Sequence, residues 1–102
     1  IIVVQTRPVD YIKSKSWLPF GLVYKKYPKF VKTAKNAYIN YNETLNLISK
    51  YENEGKIIVL RPSEKIKMRR VEKNINKLKA IYNVGIKDCN DNLLRIKKYI
   101  CE

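Results

Sequence analysis

At 102 residues the chain is the size of one small domain, and 45% hydrophobic content places it among globular rather than disordered sequences. The absence of histidine removes His-dependent triads, His metal ligands and the commonest general base in one step. A formal net charge of +13 suits anionic partners, although lysine spread through a chain rich in Lys, Asn and Ile reads first as solvated surface.

The chain opens on Ile1-Ile2-Val3-Val4, a continuous β-branched apolar run without an initiator Met or signal-peptide pattern, and so reads as a fragment that starts inside a buried element. Thr6-Arg7-Pro8 then removes a ladder donor and ends a strand placed at about 1–5. The same design returns in Ile57-Ile58-Val59-Leu60 followed by Arg61-Pro62-Ser63, a second strand at about 57–61. Continuous rather than alternating apolarity favours parallel pairing with both faces covered.

Between the strands, Ala37, Tyr38, Tyr41, Leu45, Ile48 and Tyr51 recur at helical intervals over Asn36 to Glu54, and Gly55 stands where a left-handed cap belongs. Pro28 suits the first turn of that helix, with Tyr27, Phe30, Val31 and Ala34 continuing the stripe. The unit is then a strand, helix, strand crossover of right-handed sense. After a polar connection, Asn74 is the N-cap of a short helix carrying Ile75, Leu78, Ile81 and Tyr82, which Gly85 ends. A last helix over Ile86 to Ile100 packs through Ile86, Cys89, Leu93, Ile96 and Ile100.

The expected architecture is therefore an α/β fragment: two parallel strands, about 1–5 and 57–61, with three to four covering helices, completing a larger sheet. No stretch approaches the ~18 apolar residues of a membrane span. Cys89 and Cys101 are too few for a disulfide framework and would point about 120° apart on one helix, so reduced thiols and a cytoplasmic setting are expected. Neither a cofactor nor a metal is expected.

The order of pieces carries a resemblance. An apolar strand ending in Thr6-Arg7-Pro8, then Tyr27-Pro28-Lys29, Tyr41-Asn42-Glu43-Thr44, Glu54-Gly55-Lys56-Ile57, Arg61-Pro62-Ser63 and Met68-Arg69-Arg70-Val71-Glu72-Lys73, with Leu78, Tyr82 and Gly85, resembles the carboxyl-terminal region of bacterial patatin-like phospholipases over nearly the whole chain. The resemblance implies a parent hydrolase that cleaves lipid acyl esters with a Ser-Asp dyad, its serine on a G-x-S-x-G turn beside a glycine-rich oxyanion loop. Those parts are absent: the three glycines are Gly21, Gly55 and Gly85, and none of Asp10, Asp88 and Asp91 precedes a glycine. No catalytic residue is carried over, and residues 1–102 read as one carboxyl-terminal module whose catalytic part lies upstream.

The resemblance places the family's aspartate upstream of the first strand, and ligands of open α/β sheets bind outside the carboxyl ends of strands. Thr6, Arg7, Arg61 and Ser63 are thus the site-flanking candidates, with Arg7 or Arg61 available to a phosphate headgroup; the plainer reading has both arginines ending strands and snorkelling. From Tyr11 to Asn42 no acidic residue occurs, and Lys25, Lys29 and Lys32 are read on one helical face, with Trp17 and Phe20 nearby, as contacts to an anionic membrane surface; the plainer reading is a solvated crossover face. A helix-turn-helix over 74–100 with Lys87, Asn90, Asn92, Arg95 and Lys98 outward is the disfavoured nucleic-acid alternative. A Ser63 and Lys65 nucleophile pair is set aside as chance, as are Cys89 and Cys101 without histidine, and Glu52 and Glu54 do not face each other on a helix. The remaining partners are the upstream region itself and a second copy paired through exposed strand edges.

Overall fold

A computed structural model describes residues 1–101, in the order β1 (Ile2–Val4), α1 (Phe20–Val23), α2 (Pro28–Asn53), β2 (Ile58–Leu60), α3 (Ile75–Asp91) and α4 (Leu93–Cys101). The chain divides into two compact units, residues 1–11 with 52–102 and residues 12–51.

In the first unit β1 and β2 pair in parallel, Ile2 opposite Ile58, Val3 opposite Val59 and Val4 opposite Leu60. The regular strands are three residues each, shorter than the expected five, although Ile58 N–H to the Ile1 carbonyl (3.2 Å) and Gln5 N–H to the Leu60 carbonyl (2.8 Å) carry the pairing one residue further at either end. The prolines explain the stop, since Pro8 and Pro62 offer no donor. Within this chain the two strands differ in cover. Ile58 and Val59 are buried at 7% and 4% exposure, whereas Ile2 and Val4 of β1 are 40% and 71% exposed.

Asn74 caps α3 as expected, its side-chain oxygen accepting from the N–H groups of Asn76 and Lys77 at 3.0 and 3.4 Å. The expected stop at Gly85 does not occur. Gly85 lies inside α3, and among the described residues Gly55 alone has positive φ, at 72°. The break falls instead at Asn92 (φ −99°, ψ 0°), whose side-chain amide donates to the Asp88 carbonyl at 2.8 Å while its N–H reaches the Asp88 and Cys89 carbonyls. A side chain that satisfies the orphan carbonyls of a last turn ends a helix without a glycine.

This shift changes which face is shielded. Because α3 runs unbroken through Gly85, the half-buried stripe continues from Ile81 and Val84 through Asp88 and Asn92, and then to Ile96 and Tyr99 of α4. Of the expected packing face, Ile86, Leu93 and Ile100 are exposed. The helix-turn-helix geometry centred on Gly85 is likewise not formed.

The second unit is built on α2, which begins at Pro28, where the missing donor would have been unpaired anyway. Its half-buried positions Val31, Ala34, Tyr38, Asn42, Leu45 and Ile48 follow a three- and four-residue rhythm. Asn42 clamps the extended segment before α1, accepting from the Lys13 N–H (2.8 Å) and donating to the Lys13 carbonyl (2.9 Å), while Lys13 Nζ lies 4.8 Å from the Tyr41 ring centroid. Phe20, Tyr24 and Phe30 form an aromatic cluster with centroids 4.9 to 6.4 Å apart. The last two residues of α2, Glu52 and Asn53, fall in the first unit, and Gly55 takes the left-handed conformation two residues after its end.

Candidate functional site

A groove of about 770 Å³ opens in the first unit beyond the carboxyl ends of both strands. Thr6 and Arg7 enter it from the exit of β1, Arg61 and Pro62 from the exit of β2. The connection after β2 contributes Ile66, Met68, Arg69 and Arg70, and α3 contributes Ile81, Val84, Gly85, Asp88 and Cys89. Its walls are thus largely apolar and its charges are mostly guanidinium groups.

The arginines are not equivalent. Arg61 is held on two sides, Nη1 to Glu52 Oε2 at 2.7 Å and Nε donating to Gln5 Oε1 at 2.9 Å, with only 14% of its side chain exposed. Its charge is neutralised by Glu52 and its fork is engaged in tying β2 to β1 and to the end of α2. Arg7 lies over the Tyr11 ring, 4.9 Å from the centroid, a contact that leaves its charge uncompensated. Among the described residues the two ion pairs are Arg61 with Glu52 and Lys56 with Glu54, so no carboxylate pairs with Arg69 or Arg70. Arg7, Arg69 and Arg70 are exposed, whereas Arg61 is half-buried.

Ser63 stands beside the groove, not on its wall. Its N–H donates to Asp88 Oδ2 at 2.9 Å, and the hydrogen bonds from its side chain and main chain hold the Asp88 carboxyl below the usual aspartate range. A serine and an aspartate therefore meet here, but a carboxylate of lowered pKa is a poor proton acceptor, and general-base work needs the opposite shift. The pair locks the connection after β2 onto α3. Glu72 is also held below its usual range, by the N–H groups of Asn74 and Arg69.

Of the residues singled out by sequence, Thr6, Arg7 and Arg61 come together on the groove and Ser63 fastens its rim. Arg69, Arg70 and Asp88 were not assigned to it. Arg69 and Arg70 sit in a connection without periodicity, and Asp88 reaches the groove only because α3 continues past Gly85. Cys89 and Cys101 are both free thiols, exposed on α3 and α4 respectively.

In the second unit, Lys25 lies in the turn between α1 and α2, off the helical face on which it was expected with Lys29 and Lys32. Lys25, Lys32 and Lys35 line a shallow cleft of about 380 Å³ with Gly21 and Val31, and Lys29 lies outside it. Trp17 is 87% exposed, whereas Phe20 is half-buried within the aromatic cluster, so exposed Leu22 and Val23 accompany Trp17 as surface apolar groups. Among the described residues no three metal-binding side chains gather, and no helix is long and apolar enough to cross a membrane.

Fold and groove together define a small α/β chain with a parallel two-stranded sheet and an arginine-rimmed groove at its carboxyl edge. The chain belongs to the family described as a domain of unknown function, DUF6363, which matches residues 27–100. No curated protein and no solved structure matches it.

Proposed function

We propose that this chain is the carboxyl-terminal part of a patatin-like serine lipid acyl hydrolase, contributing sheet and groove walls to a domain whose Ser-Asp dyad lies upstream. The observation that carries the reading is the ordered set of motifs from Thr6-Arg7-Pro8 to Met68-Arg69-Arg70, of which Thr6-Arg7-Pro8, Arg61-Pro62-Ser63 and Met68-Arg69-Arg70 each contribute residues to one groove at the carboxyl ends of two parallel strands. That is where open α/β sheets hold ligands. Apolar walls beneath unpaired Arg7, Arg69 and Arg70 suit an acyl chain and an anionic headgroup, guanidinium being the side chain best matched to phosphate. No nucleophile and base of suitable pKa meet in the groove, so its part in such a reaction is to hold and orient. The exposed Trp17, Leu22 and Val23 beside Lys25 and Lys26 support a second role on an anionic lipid surface, where each lysine contributes roughly 1 kcal/mol.

The test is hydrolysis of acyl esters by a polypeptide extended upstream, with the 102-residue chain assayed beside it. Hydrolysis by the longer polypeptide alone, lost when its G-x-S-x-G serine becomes alanine, is the expected result. Ester cleavage by neither would overturn the reading, and Arg69→Ala with Arg70→Ala in the active polypeptide is expected to raise KM for phospholipid more than for an uncharged ester.

A further inference from the structure

The shallow cleft of the second unit gathers three lysines and gives them no counter-charge. Lys32 and Lys35 stand three residues apart on one face of α2, and Lys25 reaches the same cleft from the turn that follows α1. Gly21 of α1 forms part of the wall, and Lys35 Nζ lies 3.5 Å from the point that a Cβ would occupy there, so the amine sits against bare backbone. Among the described residues neither of the two ion pairs involves these lysines. The one carboxylate of this unit, Glu43, stands eight residues past Lys35, about 12 Å further along α2. Three ammonium groups around one opening repel one another, and a bound anion offsets that repulsion.

We propose that this cleft binds the terminal phosphate of an anionic lipid, a phosphate monoester held by Lys25, Lys32 and Lys35. The proposal rests on the lipid-surface role given above and is independent of the hydrolase reading. A phosphate monoester carries about −1.5 to −2 charge at neutral pH and three acceptor oxygens, one for each amine, whereas a diester carries a single charge. Ammonium groups on flexible stems suit such a compact dianion, which they meet as point charges without the fixed fork of a guanidinium. A cleft of about 380 Å³ has room for a phosphorylated headgroup. The membrane as its source follows from what adjoins the cleft in the chain: Leu22 and Val23 directly follow Gly21, Tyr27 directly precedes Pro28, and all three are exposed. A soluble phosphate would engage the lysines and leave these apolar groups in water, whereas a lipid surface engages both.

The experiment is partitioning of the 102-residue chain onto phosphatidylcholine vesicles that carry either phosphatidic acid, a monoester, or phosphatidylglycerol, a diester, at equal surface charge. Retention stronger on the monoester vesicles by about fivefold or more, the effect of a single lysine at a membrane, is expected. Lys32→Gln with Lys35→Gln should abolish that preference. Lys26→Gln with Lys29→Gln removes the same charge from outside the cleft, and should weaken both partitionings alike while keeping the preference. Gly21→Asp sets a carboxylate beside Lys35 Nζ at a position without positive φ, and should also erase the preference. All five positions are exposed, so the fold tolerates these changes. Equal retention on the two vesicles, or equal loss of preference from either lysine pair, would overturn the cleft and leave the lipid-surface role standing as diffuse attraction. Retention on neither would overturn both. Glycerol phosphate that shifts the Gly21 and Asn36 amide resonances and displaces the chain from monoester vesicles at matching phosphate concentration would assign the cleft to a soluble ligand, and would overturn the lipid as its occupant.

Discussion

Arg61 and Asp88 are both charged groups of the groove, and both are held by neighbours in this chain. With 14% and 27% of their side chains exposed, Arg61 and Glu52 form a partly buried pair, and such pairs resist salt better than the outlying Lys56 with Glu54, at 65% and 36%. Asp88 is the group whose titration can be read directly. Its carboxyl is bonded by Ser63 and sits below the usual range, so its contribution to stability is in place above the ordinary aspartate value of about 3.9 and is lost as pH falls through the lowered one. A carboxyl-carbon NMR titration is expected to place the Asp88 midpoint below that of a free aspartate. In Ser63→Ala the midpoint should move up without reaching the free value, because the Ser63 N–H still donates; an unmoved midpoint would remove the side-chain bond from this account.

At the scale of elements, two glycines separate local from contextual control. Gly55 holds φ of 72° two residues after α2, a conformation that a Cβ disfavours whatever space surrounds it, and nothing lies within 4 Å of the position a Cβ would take. Gly85 has the same open space but ordinary helical backbone inside α3. The same substitution should therefore have opposite signs: Gly55→Ala is expected to destabilise by about 1 kcal/mol and Gly85→Ala to stabilise by up to about 1 kcal/mol, measured by urea unfolding. Reading helix ends from glycine alone cannot separate these cases, and so Gly55 was correctly placed as a stop and Gly85 was not. The N-cap at Asn74 and the first turn at Pro28 were legible because each acts through its own backbone and the next three residues. Asn92 was not legible as a break, because an asparagine ends a helix only when its amide finds the carbonyl four residues back.

At the scale of the whole molecule, the net charge of +13 and the acid-free stretch from Tyr11 to Asn42 bear on binding to surfaces. Co-sedimentation with vesicles is expected to retain the chain when the lipid is anionic and to release most of it at high salt. Trp17→Ala should weaken retention more than Phe20→Ala does at equal folded fraction, since Trp17 is 87% exposed and Phe20 packs against Tyr24 and Phe30. Equal retention on uncharged vesicles would rule out the electrostatic part of this docking. Features that depend on neighbours along the chain were set by sequence alone: two continuous apolar strands stopped by Arg-Pro, a helix from Pro28 with glycine after it, the Asn74 cap, and the gathering of Thr6, Arg7 and Arg61 at strand exits that parallel pairing brings to one end. What depends on partners distant in the chain came from the tertiary structure. Continuation of α3 through Gly85 carried Asp88 to Ser63, and Glu52 neutralised Arg61 while Arg69 and Arg70 kept their charge, because hydrogen bonds and ion pairs depend on distances that folding sets and residue order leaves open.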